Sequence, residues 1–237
     1  MIEKAIKYIV GLKNPEISEI NGTIWSDKPL TRVCHNPHAE PITMNTLHSL
    51  VDYIKIGYDL RPHMFVHIVS PTKVMLYSTL DDDREREYLV NVVPQVPSFS
   101  FDRFMDHEEF CINVQTKFVP GDDRALLLKF AGTVEAGSVS QYGDDGTTQK
   151  ATIKTGVASK ADAVIPNPVT LRAYRTFPEV EQPRTQYIFR MKQSAAGSVV
   201  CALFESDGNA WELDAKHAIR LYLTEALEGF RNITIIS

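Results

Sequence analysis

The chain has 237 residues, of which 43% are hydrophobic and 23% are charged, so it is long enough to bury a substantial core. Its net charge of −5 at pH 7 disfavours non-specific binding to nucleic acid, which depends on neutralising phosphates with Lys and Arg. The odd number of well-separated cysteines (Cys34, Cys111 and Cys201) predicts reduced thiols in a reducing cytoplasm rather than a disulfide framework. No signal peptide and no apolar run of ~20 residues is evident, so no membrane partner is expected.

The first 42 residues predict a helix, a hairpin and an extended arm. Apolar residues recur at helical spacing over 2–10, and Gly11 ends the helix. Asn21 and Gly22 lie between two short β-prone runs, and both readily adopt the positive φ angles of a two-residue hairpin turn. Residues 27–42 contain three prolines and no periodicity, which predicts a loop or arm.

The next segment predicts a helix and a three-stranded meander. The helix starts near Thr43 or Asn45, buries Leu47, Leu50, Val51 and Ile54, and ends at Gly57. Runs rich in β-branched and aromatic residues then predict three antiparallel strands: 65–69, 74–77 and 88–93.

The second half alternates helical and β-rich segments. Asp106 and Asp122 are each placed to cap a helix, and a C-terminal helix follows Asp214. Asp144-Asp145-Gly146 predicts a hairpin turn between short strands. Longer strands are predicted at 169–177, 186–192, 199–205 and 233–236. The chain is therefore predicted to form one α+β domain over 1–237, with mostly antiparallel sheet and an extended N-terminal arm at 1–42.

Histidine and cysteine spacing predicts no metal site. Cys34, His35 and His38 supply three donors within five residues, but no second pair at ligand spacing completes a zinc site, so a polar loop is favoured. His63 and His67 fall on one side of a predicted strand and are interpreted as partly exposed strand residues. The segment 107–109 lacks the second histidine of the zinc-protease motif.

The acidic groups favour turns and helix caps over catalysis. Residues 81–83, 122–123 and 144–145 are pairs or triplets of Asp at positions where turn or cap chemistry selects that residue. The alternative is a metal-dependent hydrolase, which requires Asp122 and Asp144 to lie within a few ångströms of each other. No phosphate-binding glycine loop and no G-x-S-x-G nucleophile elbow is present.

Arginines and aromatic residues on the late strands form the best candidate for a small-ligand site. A guanidinium forms bidentate hydrogen bonds with phosphate and stacks on aromatic rings. Convergence of these side chains would therefore build an anion or nucleotide pocket. The alternative is a set of ordinary exposed strand arginines. No cofactor is expected. The candidate ligand-binding residues are Arg172, Tyr174, Arg175, Arg184, Tyr187 and Arg190.

A second candidate surface is the charged loop between the second and third meander strands. Its mixed charges are typical of a solvated loop tip, or of a rim that pairs with opposite charges on a neighbouring subunit. The candidate assembly contacts are Asp81, Asp82, Asp83, Arg84, Glu85 and Arg86.

From about Leu47 onward the order of segments resembles the phage and prophage family typified by the YfdQ protein, a domain of unknown function. The resemblance rests on the helix TLHSLVDYIK, the meander ending at Val93, and the segments FDRFMDHEEF and DDRALLLKFAGTV. It continues through Lys154-Thr-Gly156, Ile165–Val169, the strand Tyr187–Met191 and the C-terminal helix. The resemblance implies a phage-encoded protein in the cytoplasm of a bacterial host and carries over no catalytic residues.

The same order of elements is also similar to the major-capsid fold of tailed phages, with a charged-tip hairpin, a helical stretch over 100–131 and late strands. Three hypotheses follow. The first is a non-enzymatic homo-oligomer that binds a host factor or a small ligand such as a nucleotide, for instance in counter-defence. The second is a structural protein that assembles into a shell or large ring. The third is the hydrolase; a nucleic-acid-handling early protein is a lesser alternative, disfavoured by the acidic balance.

Overall fold

The computed structural model describes residues 2–11, 15–29, 38–136, 138–144, 149–155, 159–164 and 167–237. Contacts divide the chain into two compact units, Met1–His38 and Ala39–Ser237. The division falls close to the end of the arm predicted at 1–42, while the prediction of one continuous domain stays a prediction.

The first unit contains a helix and a hairpin. Its elements are α1 (Ile2–Gly11), β1 (Ile17–Ile20) and β2 (Thr23–Ser26). The strands β1 and β2 pair antiparallel, with Ile20 opposite Thr23. Asn21 and Gly22 have φ angles of 55° and 76°, so the predicted hairpin turn is confirmed.

The second unit begins with a sheet flanked by helices. Its first elements are β3 (Ile42–Met44), α2 (Leu47–Ile56), β4 (Met64–Ser70), β5 (Lys73–Ser78) and β6 (Tyr88–Val92). It continues with β7 (Met105–Asp106), α3 (His107–Lys117), α4 (Asp122–Ala136), β8 (Ser138–Asp144), β9 (Gln149–Thr155) and β10 (Ser159–Val164). The last elements are β11 (Val169–Leu171), β12 (Thr185–Gln193), β13 (Val199–Glu205), α5 (Ala210–Ala226) and β14 (Ile233–Ile236).

The predicted meander is the centre of a five-stranded sheet. The strand order is β14-β4-β5-β6-β3, with antiparallel pairing in the meander and parallel pairing at both edge strands. Alternate residues of β4 point to opposite faces, so Met64, Val66 and Ile68 are buried while Phe65 and His67 are half-buried. The buried face forms one hydrophobic core with apolar residues of α2 and α5.

Local chemistry fixes both ends of α2: the helix ends at Gly57 as predicted, but it begins at Leu47, after the start predicted near Thr43 or Asn45. Thr46 caps the helix, because its side-chain oxygen accepts a hydrogen bond from the Ser49 N–H at 3.1 Å. Gly57 ends the helix with a φ of 72°, a left-handed conformation that glycine adopts without steric cost. The four residues predicted to be buried, Leu47, Leu50, Val51 and Ile54, are all in the core.

A second core lies between the four-stranded sheet β11-β12-β13-β7 and the helices α3 and α4. Asp106 caps α3 as predicted, accepting a hydrogen bond from the Glu108 N–H at 3.0 Å. The predicted face Phe110, Val114 and Phe118 is fully buried in this core.

Larger differences from the sequence prediction concern the end of β11, the start of α5 and the cap of α4. The strand predicted over 169–177 ends at Leu171. A loop follows it and runs to Arg184. Helix α5 begins at Ala210, before the predicted start after Asp214. Asp122 is the first residue of α4 rather than its cap.

The region between α4 and β11 forms a three-stranded antiparallel sheet, β10-β9-β8. Asp144 pairs with Gln149 across β8 and β9, while most of the predicted turn that joins them lies outside the described residues. Helices are thus interspersed with mostly antiparallel sheet, and the α+β prediction is confirmed. None of the helices in the described part of the chain is both long and apolar enough to span a bilayer.

Candidate functional site

The six candidate ligand-binding residues lie on β12 and on the loop between β11 and β12, and four of them form two separate pairs. Arg172 and Arg184 line a surface cavity of about 340 Å³. Arg175 and Tyr187 are buried next to each other. The sequence therefore predicted one site where the structure has a cavity and a buried cluster.

The cavity lies at the N-terminal end of α4, and we call it the α4 cavity. Its wall is formed by the first residues of α4, by the preceding Pro120-Gly121, and by Thr170 to Arg172. The unsatisfied N–H groups at the start of this 15-residue helix give the wall a partial positive charge. Asp122, in the first turn, adds a carboxylate to the same wall.

Two guanidinium groups share one carboxylate at the cavity. Arg172 Nη1 lies 3.2 Å from Glu181 Oε1, and Arg184 Nη2 lies 3.9 Å from the same oxygen. The side chain of Arg184 is 74% exposed and that of Arg172 is 31% exposed. Exposed ion pairs of this kind contribute about 0–1 kcal/mol, so an anionic ligand can replace Glu181 at little cost.

Other polar groups of the wall hold it in place. Asp123 Oδ2 accepts a hydrogen bond from the Thr170 N–H at 3.0 Å, which ties α4 to β11. Arg124 Nη1 donates to the carbonyl oxygens of Gln115 and Phe118, at 2.9 and 2.7 Å, which ties α4 to the end of α3. The cavity is therefore built on two fixed elements rather than on loops alone.

The buried cluster is centred on Arg175, which is only 9% exposed. Its guanidinium carbon lies 4.6 Å from the centre of the Phe101 ring and 4.1 Å from that of Trp211. Its Nη2 donates to the Tyr187 hydroxyl at 2.9 Å and to Glu205 at 2.5 Å. Burial raises the pKa of Tyr187 to about 12, so its hydroxyl is neutral at pH 7 and accepts this bond.

Through Arg175, this cluster connects the loop after β11 to Tyr187 on β12, to Glu205 on β13 and to Trp211 on α5. Phe101 stacks on Tyr187 with ring centres 5.3 Å apart and planes 9° apart, which closes one side of the cluster. Buried ion pairing, hydrogen bonding and ring stacking converge on one side chain, so the arrangement supports a structural role for Arg175.

The remaining two candidates line neither the α4 cavity nor the Arg175 cluster. Tyr174 is 37% exposed, and its N–H donates to the Lys117 carbonyl at 2.9 Å. Arg190 lies on β12 opposite Ala202, with Nη1 3.4 Å from the Phe189 carbonyl oxygen.

The charged loop between β5 and β6 is held by hydrogen bonds among its own residues, both backbone and side chain. The Glu85 N–H donates to Asp81 Oδ1 at 2.8 Å, and Arg84 has a φ of 62°. Arg86 folds back onto the sheet, where Nη1 donates to the Ser78 carbonyl and the guanidinium covers the rings of Phe65 and Tyr77. Asp82, Asp83, Arg84 and Glu85 are exposed at the tip.

Within the described residues, the remaining histidine, cysteine and acidic candidates are not grouped into a metal or catalytic site. Cys34 and His35 lie outside the described residues, and no group of three metal-ligating side chains occurs in the described part of the chain. His67 Nδ1 lies 3.3 Å from the Tyr77 hydroxyl, whereas His63 precedes the strand. His107 Nε2 lies 3.0 Å from the Ala131 carbonyl oxygen, and the side chain of Asp144 is outside the described part.

The sequence did not indicate which residues accompany the arginines. Asp122 in the α4 cavity, and Phe101 and Trp211 in the Arg175 cluster, lie at distances along the chain that no spacing rule connects to these arginines. Glu181 lies only three residues before Arg184 and pairs with it beside the cavity. Comparison with protein-family models, with curated proteins and with solved structures finds no match to this chain.

Proposed function

We propose that the chain is a phage- or prophage-encoded, non-enzymatic protein that acts as a homo-oligomer in the cytoplasm of a bacterial host and binds a small anionic ligand of the nucleotide class. The observation that carries the proposal is the pair of guanidinium groups, Arg172 and Arg184, at a cavity next to the start of α4. Guanidinium groups and a helix N-terminus are both donors suited to phosphate oxygens.

The chemistry of the wall favours a nucleotide over a simple anion. Asp122 is a carboxylate in the same cavity as the two arginines, and it would repel an inorganic anion while accepting hydrogen bonds from ribose hydroxyls or a base amino group. The volume of about 340 Å³ lies at the lower end of the range typical of small-ligand pockets.

The fixed polar contacts support binding rather than turnover. Asp123 and Arg124 are engaged by backbone groups that hold the start of α4, so they serve the shape of the cavity. A counter-defence role, in which the protein sequesters a nucleotide signal of the host, is consistent with binding of this kind.

The test is thermal unfolding of the full chain with mono-, di-, tri- and cyclic nucleotides. A ligand at a hundred times its dissociation constant adds about 2.7 kcal/mol of stability, which raises Tm by roughly 5–10 °C for a chain of this size. We expect the shift with at least one nucleotide, and its loss in Arg172→Gln/Arg184→Gln.

The matched control is Arg231→Gln, which removes an exposed arginine that does not line the α4 cavity. It should keep the full shift. A shift that survives in the double variant would place the ligand elsewhere. No shift with any nucleotide, together with a host protein captured by the wild-type chain, would replace the small ligand with a host factor.

An assembly role is the second candidate, and the exposed charged tip Asp82–Glu85 favours it. Charge of both signs on one protruding loop can pair with the same loop or another surface of a neighbouring subunit. Light scattering after size exclusion separates the two candidates, because a shell or ring has a mass many times that of the chain.

A further inference from the structure

The two arginines of the α4 cavity meet at one oxygen atom. Arg172 Nη1 and Arg184 Nη2 lie 3.2 and 3.9 Å from the same atom, Oε1 of Glu181. Glu181 belongs to the same loop as the two arginines, and its side chain is 66% exposed. It is therefore an internal anion that a free anion can displace, and it marks a position where one anionic group contacts both guanidinium groups.

Other donors of the cavity wall already have partners. Among the described lining residues, Arg124 Nη1 donates to two main-chain carbonyl oxygens at the end of α3, at 2.9 and 2.7 Å. The Thr170 N–H donates to Asp123 Oδ2 at 3.0 Å. These bonds hold α4 against its neighbours, so breaking them for a ligand would loosen the wall. The displaceable pairing with Glu181 thus provides for one phosphate group, and the wall adds no comparable pair of donors for a second.

The charge of the lining also suits one phosphate group. Three arginines and two aspartates line the cavity, which leaves a surplus of one positive charge, and a phosphomonoester carries about −1.5 to −2 at pH 7. Each further phosphate of a nucleotide adds negative charge that this surplus does not offset. Asp122, an exposed carboxylate in the first turn of α4, lies in the same wall and repels that added charge.

We propose that the α4 cavity selects nucleoside monophosphates over nucleoside di- and triphosphates. The inference rests on the proposed function, nucleotide binding at this cavity, and names the class of nucleotide. The single phosphate takes the place of Glu181 between Arg172 and Arg184, and Asp122 acts against a longer phosphate chain. The sequence agrees, because it has no glycine-rich loop of the kind that holds the phosphates of nucleoside triphosphates.

The test is calorimetry of the full chain with AMP, ADP and ATP, and with GMP, GDP and GTP, in buffer free of divalent cations. Without Mg²⁺ the charge of the longer phosphate chains is not offset. For the base that binds, we expect the monophosphate to bind at least about tenfold more tightly than the triphosphate, with the diphosphate between them.

A substitution at Asp122 tests the source of the selectivity. Asp122→Asn removes the charge and keeps the size of the side chain, so the triphosphate should gain affinity and the preference should fall to about threefold or less. The matched control is Asp214→Asn, which removes an exposed carboxylate of α5 that does not line the α4 cavity. It should leave the preference unchanged.

The outcomes separate this inference from the proposed function. A triphosphate that binds as tightly as the monophosphate or more tightly, with binding lost in Arg172→Gln/Arg184→Gln, overturns the inference and leaves nucleotide binding at the cavity in place. Absence of binding by all six nucleotides overturns both. A preference for the monophosphate that is unchanged in Asp122→Asn overturns the part assigned to Asp122.

Discussion

The α4 cavity and the Arg175 cluster are built from the same short segment, yet they use arginine in opposite ways. Arg172 and Arg184 are solvent-accessible and share Glu181 through weak, replaceable contacts. Arg175 is buried, hydrogen-bonded and stacked between two rings. Residue type and spacing thus identify an arginine-rich segment, while burial and partners decide whether each arginine stabilises the fold or is available to a ligand.

The largest expected effect separates the two regions by stability. Arg175→Met removes the partner of Glu205 inside the protein and should lower the free energy of unfolding by about 2–4 kcal/mol in urea denaturation. Arg184→Met, at an exposed site, should change it by less than about 0.5 kcal/mol. Equal losses in the two variants would remove the distinction between the regions.

A second substitution shows whether the loss comes from the stranded carboxylate. Glu205→Gln in the Arg175→Met background replaces the charge with a neutral amide, so we expect part of the stability to return. No recovery would assign the loss to the stacking of Arg175 on Phe101 and Trp211.

An intermediate effect concerns Tyr187 and pH. Its pKa is raised to about 12 in the folded chain, mainly by burial, and lies near 10 in the unfolded chain. The folded state therefore holds the proton more tightly, and the stabilisation is fully present below pH ~10 and is lost as pH rises towards ~12. Between these pH values wild type should lose up to about 2–3 kcal/mol more than Tyr187→Phe.

Wild type must be compared with Tyr187→Phe because the pKa of Tyr53 is raised in the folded chain as well. Burial and its bond to Asp59 raise the pKa of Tyr53 to about 12 as well. Tyr53 is present in both chains, so the difference between their pH profiles reports Tyr187 alone. Parallel profiles for the two chains would contradict the buried, neutral hydroxyl.

The sequence predicted local structure well where one short segment contains the cause. Asn21-Gly22 encodes its turn, Gly57 ends α2, and Asp106 caps α3, because each effect acts over a few residues. The start of α5 was not predicted correctly. The helix follows Asn209, which has a left-handed backbone conformation and makes no side-chain capping bond, so the sequence has no cap signal there.

The candidate site was predicted only in part for a similar reason. The late strands were chosen because they are rich in arginine and aromatic residues, but the division of these side chains depends on Phe101 and Trp211, which reach Arg175 from distant elements. The strand predicted over 169–177 ends early, and the resulting loop brings Arg172 and Arg184 to the α4 cavity. Such long-range packing leaves no periodic signal in the sequence.

A substitution at Glu181 should change stability little, and it tests whether Arg172 and Arg184 are available to a ligand at the α4 cavity. Glu181→Gln removes the carboxylate that Arg172 and Arg184 share, while the hydrogen bond from Arg172 Nη2 to the Pro120 carbonyl oxygen remains. Because exposed ion pairs contribute little, the free energy of unfolding should change by less than about 1 kcal/mol. A phosphate-bearing ligand no longer competes with Glu181, so its affinity should rise about two- to fivefold in calorimetry.

Glu228→Gln, which removes an exposed carboxylate that does not line the cavity, should leave the affinity unchanged. Weaker binding in Glu181→Gln would mean that this carboxylate orients the arginines for the ligand rather than occupying them, and the two regions would then both use arginine in preorganised pairs.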